Sequence, residues 1–118
     1  MSTLLFRLAA GLCFVAVGLG AFGAHSIKNT LQTNDMTEVW KTAVLYHFLH
    51  ALALLLLATL PAASRAAAGL FIAGVVLFSG NLYLLALTNI KWLGAITPLG
   101  GLCFLAGWIC LVIWPPTA

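Results

Sequence analysis

Four long apolar runs separated by short polar joints constrain this chain more than any other feature. They cover about residues 4–24, 39–60, 66–87 and 92–114, and the joints read "HSIKNTLQTNDMTE", "PAASR" and "TNIK". Roughly 20 apolar residues cross a bilayer as a helix. In lipid every backbone donor and acceptor must be satisfied within the chain, so runs of this length are helices rather than open strands. The pattern predicts an all-α polytopic membrane protein, an antiparallel bundle of four transmembrane helices forming one domain over residues 1–118. Charged residues make up 6% of the chain and apolar ones 64%, with a mean hydropathy of +1.15. A soluble domain carries about 25% charged residues, so the expected solvent is lipid. An even number of spans puts both termini on one side.

The first run has features of a signal peptide, with Arg7 as a weakly positive start and "AFG" near its end. Its glycine pattern is better suited to packing, and an uncleaved helix is expected. Cys13, Cys103 and Cys110 all fall inside spans without metal-ligand spacing, which makes them small apolar residues. Lys28, Lys41 and Lys91 flank one side and Arg7 and Arg65 the other, too even a division for the positive-inside rule to set orientation. A net charge of +3 with no basic cluster offers nothing to nucleic acid.

Helices in membranes associate through small residues, because lipid gives apolar faces no incentive to pair. Seven-residue stripes suggest the seams: Gly11, Gly18 and His25 in the first span; Trp40, His47 and Leu54 in the second; Gly74, Asn81 and Thr88 in the third; Gly94, Gly101 and Trp108 in the fourth. A second ladder in the first span holds Ala16, Gly20 and Ala24. The long first joint has room for an interfacial helix, with Thr37 as a cap for the second span. Pro98 removes a backbone donor and frees a carbonyl near Gly94, which predicts a kink.

The histidines carry most of the chemistry. Imidazole is costly to bury unless its nitrogens are satisfied. At about 1.5 Å per residue, His47 lies roughly 12–14 Å and His50 roughly 16–18 Å below the side holding "SIKNT" and "TNIK". Asn81 lies roughly 10 Å below the same side on the third span, and Thr97 and Pro98 lie one to two turns inside the fourth. Polar groups thus gather in one half of the membrane. His50 is expected to face the interior near Asn81 or Thr97, and His47 to be less constrained. Three readings stand open: hydrogen-bonded glue between helices, a metal or haem site, and a pocket or path for a small molecule, lipid, proton or solute.

Four motifs in order, "GLGAFGAH", "WKTAVLYHFLHALALLL", "LFSGNLYLLAL" and "LGAITPLGGLCFLAGW", resemble the YgdD-type small inner-membrane proteins of bacteria, which carry a domain-of-unknown-function label and have a four-span eukaryotic relative. The resemblance covers about Leu8 to Trp108. It implies the four-span fold and a bacterial inner (plasma) membrane location, and it confers no activity. Its recurring positions correspond here to Gly23–His25, His50, Ser79, Gly80, Tyr83, Thr97, Pro98, Gly100 and Gly101.

The candidate binding set is therefore His25, His47, His50, Asn81, Tyr83, Thr97, Gly100 and Gly101. No metal ligand set, cofactor or catalytic group is expected. There is no nucleophile with its base, no paired carboxylate and no phosphate loop. The chain reads as a non-enzymatic membrane protein whose partners are the bilayer and either a second copy or another membrane protein. The alternative is a histidine-lined intramembrane site for a small molecule, lipid, metal or haem, or a small transport pathway.

Overall fold

A computed structural model describes residues 2–116, so residues 1, 117 and 118 of the expected domain lie outside it. Six α-helices follow in order: α1 (Thr3–Ala24), α2 (Lys28–Thr33), α3 (Thr37–Thr59), α4 (Arg65–Gly74), α5 (Asn81–Thr88) and α6 (Thr97–Ile113). A π-helical turn, Val75–Gly80, joins α4 to α5, and a 3-10 turn, Lys91–Ala95, precedes α6. Four helical stretches are long and apolar enough to cross a membrane: Thr3–Ala24, Thr37–Thr59, Arg65–Thr88 and Lys91–Ile113. They match the four runs to within two residues at each end. The chain is an all-α bundle of four candidate transmembrane helices.

Local chemistry explains the ends. Ser2 and Ser64 cap α1 and α4, their hydroxyls accepting from Leu5 N at 3.2 Å and Ala67 N at 3.1 Å. Asn89 takes the left-handed conformation at φ 57° and closes the third span, its N–H donating to Leu85 O at 2.8 Å. The interfacial helix is α2. Thr37 does not cap α3 as expected. Asp35, at φ 56°, turns the chain so sharply that Thr37 is already helical, and Met36 holds the cap position without a side-chain bond. Asn34 then ties the joint to the third span, its Nδ2 donating to Ala86 O at 2.9 Å.

The first span leans mainly on α3, while α3, the third span and the fourth span share a core around Leu54, Phe71, Val75 and Phe104. The face α1 buries is not the Gly11–Gly18–His25 stripe. Ala9 and Ala16 are fully buried, and Gly23 takes the next place seven residues on. That stripe lies two residues, about 200°, from the expected one, so Gly11 and Gly18 face outward with no atom within 4 Å of where a Cβ would stand. In the fourth span the buried positions are Gly100, Phe104 and Gly107 rather than Gly94 and Gly101. The second-span stripe of Trp40, His47 and Leu54 is buried, with Ala43, His50 and Ala51 beside it. Pro98 does not bend a continuous helix. The 3-10 turn breaks the span before it, and Pro98 sits in the first turn of α6, where its missing N–H has no helical partner to lose.

The topology has a direct test. Reporters fused after Lys28 and after Ala118, the latter outside the described residues, should report opposite sides of the membrane. Equal readouts at both points would contradict four crossings.

Candidate functional site

Two polar clusters occupy the interior, one turn of α3 apart. The upper one is built on Trp40. Its Nε1–H donates to Leu19 O of α1 at 2.8 Å, and its ring lies 4.8 Å from that of Tyr83. Gly23 exists at its place for this reason: a Cβ there would strike the Trp40 indole. Below it His47, only 3% exposed, meets the Tyr83 hydroxyl through Nδ1 at 2.8 Å. Its Nε2 has no hydrogen-bond partner among the described residues, and neither does the buried Ser79 Oγ. His47 is therefore fixed by the protein, where the sequence suggested the looser of the two imidazoles.

Asn81 does not reach His50. Its amide donates to Thr97 Oγ1 at 2.9 Å and to Leu93 O. Leu93 lies in the 3-10 turn, and its carbonyl also accepts from Ile96 N–H at 3.1 Å, so Asn81 adds a second donor that ties the third span to the broken start of the fourth. Asn81 and Thr97 form a polar clamp between the third and fourth spans, apart from the histidines.

The lower cluster surrounds His50, 5% exposed. Its Nδ1 lies 2.8 Å from Tyr46 O and its Nε2 accepts from Trp108 Nε1–H at 3.0 Å. A tryptophan N–H can only donate and a carbonyl can only accept. The geometry therefore fixes one neutral tautomer, with the proton on Nδ1 and the lone pair of Nε2 already engaged. Phe104 stacks on the ring at 3.6 Å between centroids and 12° between planes, and Phe71 and Trp108 meet it edge-on at 5.2 and 5.7 Å. Tyr46, Phe78 and Phe104 extend this aromatic layer. Its outer side forms an apolar hollow of about 510 Å³ beside Pro98, Gly101 and Leu105.

His25 stands elsewhere. It caps α1, its side chain is exposed, and it joins neither cluster. Gly100 works through its backbone, as a Cβ there would meet the backbone of Leu77 and Phe78 in the π turn. Gly101 is one step to the side, with only Phe78 Cδ2 at 3.9 Å from a Cβ position. Among the described residues no three His, Cys, Asp or Glu side chains converge as a metal site would need. The sequence did not single out Phe71, Phe78 or the Trp108 donor as partners of His50. Gly100, Phe104 and Gly107 recur at helical spacing on that face, but Gly94, Gly101 and Trp108 recur as regularly on another, so spacing alone does not select it.

Residues 19–101 match the family model described as "Protein of unknown function (DUF423)". The chain belongs to this family. It is 46% identical to a UPF0382 membrane protein of Staphylococcus haemolyticus, over 92% of this chain and 93% of the relative. It is 47% identical to the UPF0382 membrane protein YwdK of Bacillus subtilis, over 84% and 85%. A UPF0382 membrane protein of Staphylococcus aureus is 44% identical over 84% of each chain. No solved structure matches. The matched region of the family model contains both polar clusters except Trp108 and Phe104.

Proposed function

We propose that this chain is a non-enzymatic membrane component that works by associating, within the bilayer, with a second copy of itself or another membrane protein. The observation that carries this reading is the outer face of α1. Gly11 and Gly18 lie on it with open space beyond them, and Phe14 between them is 80% exposed. Small residues are what let another helix backbone come close in lipid. The interior supports a structural part for the buried polar groups, since His50 has both nitrogens committed and Asn81 and Thr97 clamp two spans. The bacterial relatives support the plasma membrane as its place, and the YgdD-type resemblance supports the inner membrane in particular.

Chemical cross-linking of the reconstituted protein tests it. Gly11→Leu with Gly18→Leu is expected to lower the associated fraction about tenfold, roughly 1.4 kcal/mol, without lowering the thermal stability of the single chain. Undiminished cross-linking in the double variant would sink the reading.

A further inference from the structure

A second large concavity borders the upper polar cluster at Gly23 and Trp40. It is a groove of about 580 Å³ between α1 and α3, roofed at one end by α2. Its volume falls within the range of ligand-binding clefts. The floor and walls are apolar, with Ala16 and Gly20 of α1 facing Val44 and Phe48 of α3. Lys28, at the start of α2, and Lys41, one turn into α3, stand at its mouth. From Lys41 to Phe48 the groove descends about 10 Å, a third of the ~30 Å hydrocarbon core. It therefore opens to lipid below and to the headgroup layer above.

We infer that this groove holds one anionic glycerophospholipid, its phosphate between Lys28 and Lys41 and the upper part of an acyl chain along Gly20, Val44 and Phe48. Charge decides the occupant. Among the described residues Lys28 has no acidic partner within ion-pair distance, and Lys41 has only Glu38 at 3.5 Å, with both side chains largely exposed. Such a pair is weak and leaves Lys41 free to meet a phosphate. A second copy is a poor match. The whole chain has two acidic residues, Asp35 and Glu38, both in or beside the first joint rather than on an outward face of a span. The apolar floor explains why Gly20 is small: a Cβ would already lie 3.4 Å from Val44 Cγ1, and a longer side chain would fill the groove.

Native mass spectrometry of the full chain, released from mixed phosphatidylglycerol and phosphatidylcholine vesicles, provides the test. One phosphatidylglycerol per chain is expected to be retained in preference to phosphatidylcholine. Each lysine near an anionic headgroup is worth about a fivefold preference, so Lys28→Gln or Lys41→Gln should lower the selectivity about fivefold and the double variant about thirtyfold. Both side chains are exposed, so these variants retain the fold. Lys91→Gln, on the same side but outside the groove, should change nothing. Equal retention of the two lipids would overturn the site. So would equal loss with Lys91→Gln, which would mark general surface charge, or a lipid-free dimer that the Lys28 and Lys41 variants dissociate, which would mark a second copy as the occupant.

Discussion

Gly100→Ala is expected to destabilise the protein more than alanine at any other glycine, by about 3 kcal/mol, the upper end of overpacking costs. The added Cβ would stand 2.6 Å from Leu77 C and 2.7 Å from Phe78 Cα. Those are backbone atoms. A side chain can rotate away from an intruding methyl, as the rings facing Gly74 and Gly107 can in part, but a helix backbone moves only as a whole. The contact falls on the π turn, Val75–Gly80, where the ordinary i→i−4 ladder is interrupted. The close approach of α6 and the widened turn are therefore two sides of one packing solution. Gly18→Ala is the contrasting case. Nothing lies within 4 Å of its Cβ position, so the change should stabilise α1 by about 0.5–1 kcal/mol through helix propensity alone. Reversible unfolding in mixed detergent micelles reads both. Equal stabilities for the two variants would rule out the backbone contact.

The difference between those glycines shows how far the sequence could be read. Hydrophobic run lengths located the spans, because the bilayer thickness imposes them from outside and no neighbour needs to be known. The buried face of α3 was also legible, since Trp40, His47 and Leu54 form a stripe that few other arrangements would satisfy. The faces of α1 and α6 were not. Glycine occurs on several sides of each, and small residues alone do not say whether a neighbour, a lipid or open space lies beyond them. Gly11, Gly18 and His25 looked as regular as Ala9, Ala16 and Gly23, and only tertiary contact distinguishes the two stripes. The π turn left no periodic trace either, because one extra residue in a turn shifts every later position by about 100° without changing composition. That shift bears on Asn81 and Tyr83, the two polar residues just beyond it. Asn81 turns to the fourth span and Tyr83 to His47, so the expected meeting of Asn81 with His50 does not occur.

His50 is where the second large effect is expected. His50→Leu should cost about 2 kcal/mol. It removes a hydrogen bond between spans, a bond type worth about 0.6 kcal/mol on average in membranes and up to about 1.7. It also removes the stacked contact with Phe104 at 3.6 Å, and aromatic pairs contribute about 0.5–1.5 kcal/mol. His50→Gln keeps an acceptor for the Trp108 N–H but loses the ring, so it should cost about 1 kcal/mol. A double-mutant cycle separates the parts. His50→Leu and Trp108→Phe should be coupled by about 0.6–1.7 kcal/mol, because Phe104 and Phe71 still pack on whatever remains while the 3.0 Å bond exists only in the natural pair. The tautomer gives a second, independent readout. The Nδ1–H donates to Tyr46 O and Nε2 accepts from Trp108, so nitrogen NMR of the reconstituted protein should show a protonated Nδ1 and a bare Nε2. Trp108→Phe should shift the Nε2 resonance most. A ligand role predicts the reverse pattern, with Nε2 moved by added zinc in the natural protein. Coupling near zero, or a proton found on Nε2, would show that His50 is not held between α3 and α6 as described.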